Sequence, residues 1–231
     1  YVLGLDKKPF IQLSGLEQRL KTTEAEHLLG RLEKAAITVV GNEGGILPLE
    51  TSLKNNVVLN IGKSTQGMDF YKRLKRYLSV DRIVATPDSI TTITKRLSKY
   101  DRVIVVVHTE KYGAYQPMLN SLAAKMPLIY VYMTPMKNLY NRGKEWRKAA
   151  AVILGHSNSA VVQYSLAEIL VGKEYANGRL SVEIKGYRIP GEGVDLSKKK
   201  EKKFRPEDYG MNSAVLSRID DIALEGIKEK A

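Results

Sequence analysis

The chain has 231 residues, 43% of them hydrophobic, which suits one domain or one domain with tails. Its formal net charge is +12 and it has no cysteine, so disulfides and thiolate metal sites are excluded. No run of about 18 apolar residues occurs, which argues against a membrane-spanning helix, and the first residues lack the basic-then-apolar order of a signal peptide.

The elements follow in chain order. Leu13 to Leu20 has helical spacing, and Thr23 with Glu26 reads as a capping box ahead of Leu28, Leu29 and Leu32. That predicts a helix from Glu24 to Ala35. It feeds a β-branched strand, Ile37 to Val40, which ends in Gly41-Asn42-Glu43-Gly44-Gly45. Paired glycines permit a turn that residues with a Cβ resist, and Pro48 places Leu47-Pro48-Leu49 in extended packing or at an edge.

Next come a strand, Asn56 to Ile61, and a helix carrying Met68, Tyr71, Leu74 and Leu78. A short strand, Arg82 to Ala85, precedes a helix from Asp88 to Ser98, with Pro87 near its first turn. Arg102 to Val107 and Leu128 to Met133 are continuous apolar strands on either side of a helix, Tyr115 to Lys125. Continuous apolarity means burial on both faces, as in a parallel sheet covered by helices. Ala149 to Leu154 is a strand or turn, Ser159 to Val171 a helix, and Arg179 to Ile184 a last, alternating strand. This rhythm predicts an α/β fold, a three-layer α/β/α sandwich with a mainly parallel sheet. Loops at the carboxyl ends of its strands are the default place for a site.

After Pro190 the character changes. Gly191-Glu192-Gly193 leads to six basic residues, Lys198, Lys199, Lys200, Lys202, Lys203 and Arg205, against Glu201 alone. Without a nucleic-acid motif the run reads as a solvated linker rather than a nucleic-acid patch. Asp208 to Lys230 reads as an amphipathic helix with Val215, Leu216, Ile219 and Ile222 on one face, expected to dock.

Gly62-Lys63-Ser64 imitates the end of a P-loop, but the position that needs the first glycine is Val57, so nucleotide binding is disfavoured. Ser197 and Lys200 match Ser-x-x-Lys only because lysines crowd the region. His27, His108 and His156 have no second ligand at metal-binding spacing, so neither a metal nor any other cofactor is expected.

The stretch Asn42-Glu43-Gly44-Gly45 followed by Leu47-Pro48-Leu49 resembles the opening of the C-terminal domain of glycoside hydrolase family 3. Gly41 stands where that family usually has Lys. Gly178-Arg179-Leu180-Ser181-Val182 resembles the segment that closes the domain, with Ser181 for the usual Pro, and Tyr1 to Leu5 resembles the end of the helix arriving from the family's catalytic barrel. Pro206 to Asn212, with Leu216, Ile219, Asp220 and Ile227, resembles the first helix of a β-lactamase-like serine hydrolase, which some bacterial family members carry. The resemblance implies residues 1–34 as a helical lead-in from a barrel, 35–190 as the sandwich domain, 191–207 as linker and 208–231 as the start of the second hydrolase.

It further implies an accessory domain of a retaining β-glycosidase, of the β-N-acetylglucosaminidase or β-glucosidase type, acting on terminal β-linked sugars in carbohydrate or cell-wall metabolism. Its partners would be the barrel, the serine hydrolase domain and the sugar, with no nucleic acid and no membrane span. Its compartment would be periplasmic or extracytoplasmic. The barrel's Asp nucleophile is not in this sequence, so no catalytic residue is expected here. Glu110 is the one speculative acid/base, and with His108 a speculative substrate contact in the loop His108-Thr109-Glu110-Lys111, because glucosidase-like members draw an acid/base Glu from a comparable loop. The alternative is an independent α/β module for a small ligand or nucleotide.

Overall fold

The computed structural model describes residues 13–50, 55–86, 90–109, 112–135, 139–197 and 212–228. Two compact units divide it near Lys198. In the first, short α1 (Leu16–Leu20) precedes α2 (Thr23–Ala36). The cap of α2 is Thr22, whose Oγ1 accepts from Ala25 N at 3.1 Å, so the helix starts one residue before the expected position.

The strands are β1 (Thr38–Gly41), β2 (Asn56–Ile61), β3 (Val80–Ala85), β4 (Arg102–Val107), β5 (Leu128–Tyr132) and β6 (Ala151–Leu154). They form one sheet in the order β1-β6-β5-β4-β2-β3. All neighbouring pairs are parallel except β1–β6, so the sheet is mainly parallel as expected. Every residue of β2, β4, β5 and β6 is buried, the outcome that continuous Val, Ile and Leu runs require when helices cover both faces.

The helices between them are α3 (Met68–Leu74), α4 (Ile90–Leu97), α5 (Gln116–Ala123), the single turn α6 (Gly143–Trp146) and α7 (Ala160–Val171). One core layer packs Ile93 and Leu97 of α4 and Met118, Leu119 and Leu122 of α5 against Val57, Leu59, Val103 and Val105. The other packs Phe70 and Leu74 of α3 and Val162, Leu166 and Leu170 of α7 against Val58, Ile104, Val106 and Ile129. The three layers are therefore helix, sheet, helix.

Arg179 to Ile184 is not a strand. Leu180 and Ile184 are buried, but Val182 between them is exposed, so the apolar residues that alternate in sequence do not alternate in burial. The segment instead makes local turns, with Leu180 N donating to Glu192 O at 2.9 Å and Ile184 N to Arg188 O at 2.8 Å. The stretch 176–196 wraps the free edge of β1. Val194 N donates to Val39 O at 2.7 Å, and Arg188 Nε donates to Val40 O at 2.9 Å. Leu180 and Ile184 seal one core layer while Ala176 and Leu196 seal the other. An edge strand's unpaired groups are thereby covered without a seventh strand.

The second unit contains α8 (Ser213–Lys228), capped through Asn212, whose Oδ1 accepts from Val215 N at 3.4 Å. Its apolar residues Val215, Ile219, Ile222 and Ile227 are exposed. The basic run from Lys198 to Arg205 and the helix start at Asp208 lie outside the described residues.

Candidate functional site

The parallel strands end together at Ile61, Ala85, Val107, Tyr132 and Leu154, and His108 follows β4 directly at that edge. Its ring lies in a fold of the turn between β2 and α3. A Cβ on Gly67 would come within 2.6 Å of its Nε2, so glycine is what lets the turn close over the ring. The Asn60 amide donates to Lys63 O at 3.2 Å, which leaves Asn60 Oδ1 to accept from His108 Nε2 at 3.1 Å. The proton therefore sits on Nε2. Burial pushes the His108 pKa down to about 4, Asn158 beside the ring opposes this, and the Arg82 charge adds to it. His108 is thus a neutral imidazole at neutral pH. Arg82 is fixed in turn by donating to Ser64 O at 2.8 Å and Gln66 O at 3.0 Å, with Nε buried and without a hydrogen-bond partner.

Glu110 lies outside the described residues, as does Lys111. What anchors the far end of their loop is described. Tyr112 Oη lies 2.9 Å from Tyr132 Oη and donates to Glu145 Oε2 at 3.2 Å. Gln116 Nε2 donates to the same oxygen at 2.5 Å, and Trp146 Nε1 donates to Tyr132 Oη at 2.8 Å. The Arg142 guanidinium stacks 4.1 Å from the centre of the Tyr112 ring. Burial pushes the Glu145 carboxyl above the ordinary range, and Arg142 and the hydrogen-bond donors pull it back. This satisfied buried network fixes the chain on which the 108–112 loop ends.

The third neighbour of the edge is the loop between β6 and α7. His156 adopts φ 61°, and burial lowers its pKa. Ser157 Oγ and Ser159 Oγ each donate to Glu33 of α2 at 2.7 Å, and Ser159 also caps α7 by accepting from Val162 N. Lys34 of α2 pairs with Glu174 at 2.5 Å. No residue of α2 is buried, and Leu28, Leu29 and Leu32 are more than half exposed. His27 lies on this exposed helix, far along the chain from the other two histidines, and no group of three His, Asp or Glu side chains gathers among the described residues.

No family model and no curated protein matches the sequence. Solved structures do. A family 3 β-N-acetylglucosaminidase from Paenibacillus sp. str. FPU-7 is similar with TM-score 0.55 and 18% identity, over 75% of this chain and 35% of that one. A fungal multi-domain family 3 β-N-acetylglucosaminidase, with a GCN5-related glucosamine N-acetyltransferase region, gives TM-score 0.59 and 17% identity over 85% and 23%. A β-glucosidase from Listeria innocua gives TM-score 0.55 and 12% identity over 71% and 27%.

The chain has the fold of a glycoside hydrolase family 3 α/β domain. It spans about a third or less of the length of these glycosidases. A Gly-Gly turn leads from β1 towards α7. Asn42 clamps the turn from both sides: its Nδ2 donates to Leu47 O at 3.0 Å and its Oδ1 accepts from Leu47 N at 2.9 Å. Gly44 (φ 71°) and Gly45 (φ 67°) make the reversal between them. Leu47 and Leu49 are then buried on α7, with Leu49 N donating to Leu170 O at 2.7 Å. Gly41 faces Tyr187, and a Cβ there would overlap Tyr187 Oη. The two contacts that hold the edge, Asn60 and Arg82, escape the sequence pattern because their partners are loop atoms, the carbonyls of Lys63, Ser64 and Gln66 and the His108 ring. Only the polar Asn60 inside the apolar run NVVLNI marks the place.

Proposed function

We propose that this chain is the accessory α/β domain of a retaining β-glycosidase, of the β-N-acetylglucosaminidase type, acting on terminal β-linked sugars in cell-wall or carbohydrate metabolism. The observation that carries the reading is the likeness in fold to family 3 glycosidases over 71–85% of the chain, two of them β-N-acetylglucosaminidases. The Asn42-clamped turn of Gly44, Gly45, Leu47, Pro48 and Leu49 supports it from the sequence side.

In this reading the catalytic barrel, with its nucleophilic Asp, belongs to the same polypeptide and precedes the sandwich. The exposed Leu28, Leu29 and Leu32 of α2 are surface that the barrel would cover. A β-lactamase-like serine hydrolase domain would begin with the segment around α8, and the whole protein would work in the periplasm. The loop after β4 would reach the sugar, with Glu110 and His108 as its candidate contacts. His108, a neutral ring with Nε2–H committed to Asn60, acts there as a shaping group rather than a proton donor.

The test compares two proteins on aryl N-acetyl-β-glucosaminides and aryl β-glucosides: this chain, and the longer polypeptide encoded by its own gene. The longer form is expected to turn over the glucosaminide and this chain to be inert. Turnover by this chain that disappears in Glu110→Gln, or a gene encoding no barrel, overturns the reading.

A further inference from the structure

The outer faces of α3 and α7 enclose an open groove of about 440 Å³. It lies on the helical layer, away from the strand ends, and the function proposed above makes no use of it. Asp69, Lys72, Arg73, Arg76, Tyr164 and Glu168 line it.

Its charges are unevenly satisfied. Arg73 grips Glu168 Oε1 with both Nε and Nη2, and Tyr77 Oη donates to the same oxygen at 3.4 Å. Glu168 Oε2 accepts no hydrogen bond among the described residues. Lys72, on α3, and Arg76, in the turn that follows it, are exposed and form no ion pair among the described residues. Tyr164, 44% exposed, shares the lining, in a helix whose other face is buried against the sheet.

This combination defines the ligand. Two uncommitted cations call for an anionic group. An open carboxylate oxygen calls for a hydroxyl or amine donor and repels a simple polyanion. An exposed phenol ring offers a flat apolar face. An acidic sugar has all three complements on one small ring: a carboxylate, hydroxyl donors, and a face of C–H groups that stacks on an aromatic. We propose that the α3–α7 groove binds an acidic carbohydrate, with Lys72 and Arg76 on its carboxylate, Glu168 on its hydroxyls and Tyr164 against its ring.

The experiment titrates the 231-residue chain calorimetrically with oligogalacturonate, with a neutral chito-oligosaccharide of equal length, and with poly-glutamate. Oligogalacturonate is expected to bind more tightly than either control, and more weakly as salt is raised. The double variant Lys72→Glu/Arg76→Glu and the single variant Tyr164→Ala are each expected to weaken it by about tenfold or more, roughly 1.4 kcal/mol. Unchanged thermal melting shows that the variants fold, which surface positions allow. A chain with Lys198, Lys199, Lys200, Lys202 and Lys203 changed to Ser should bind as before. The proposal is overturned by no binding, by poly-glutamate binding as tightly, by equal affinity for the neutral oligomer, or by loss of binding only in the Lys-run variant.

Discussion

Acidification is the sharpest probe of the His108 site. The imidazole has a folded pKa of about 4 against an ordinary value of 6.5, chiefly because it is buried. Below the ordinary value the unfolded chain takes up a proton that the folded chain refuses, so the contribution to stability is complete above it and falls as pH drops towards 4. At pH ~4.5 the loss from this one group is about 2.5 kcal/mol. That is a large share of the roughly 5–15 kcal/mol by which domains are stable. Urea unfolding of the chain and of His108→Gln, at neutral pH and near pH ~4.5, isolates the term. Both proteins share the carboxylates and His156, so those contributions cancel in the difference. The variant is expected to be less stable at neutral pH, having lost packing against Gly67, yet to lose about 2.5 kcal/mol less on acidification. Identical acid sensitivity in the two proteins would refute the burial argument.

Two further outcomes follow from packing. Gly41→Ala drives a methyl into Tyr187 Oη and is expected to cost about 1–3 kcal/mol, and Tyr187→Phe in the same chain should recover part of it, read by melting temperature. Leu28→Ser with Leu32→Ser on α2 should leave the stability of this chain within about 0.5 kcal/mol per site, because both side chains are already in water; a larger loss would mean that α2 is packed after all.

The sheet was legible where burial made it so. Asn56–Ile61, Arg102–Val107 and Leu128–Met133 are apolar on both faces, and a strand between two helical layers is the arrangement that hides both. What pattern could not supply was direction. Nothing in Ile37–Val40 distinguishes a strand parallel to its neighbour from one running against it, and β1 runs against β6. Arg179–Ile184 failed differently: Leu180, Val182 and Ile184 alternate in sequence, but only Leu180 and Ile184 turn inward from the wrapping loop while Val182 faces solvent. Adjacent Thr22 and Thr23 are equally able to cap, and only the hydroxyl's reach to Ala25 N decides between them. At the site, His108 was visible as a polar residue closing an apolar run, whereas Glu145 was not. It sits in a single helical turn among Arg142, Lys144 and Arg147, where a carboxylate reads as solvated surface, and its buried role depends on two tyrosines from separate parts of the chain.

The reversed direction of β1 has a mechanical consequence. Because Thr38 pairs with Leu154, the strand begins at the edge where the parallel strands finish, and α2 must arrive there too. The helix is then fastened to that rim by Glu33 on Ser157 and Ser159 and by Lys34 on Glu174, with none of its residues in the core. Hydrogen bonds to charged groups contribute about 1.5–3 kcal/mol each, so lifting the helix requires a handful of directional contacts to break and leaves both core layers closed. Glu33 thus holds the loop carrying Asn158 on either side, at Ser157 and Ser159, and through it ties α2 to the neighbour of the His108 ring.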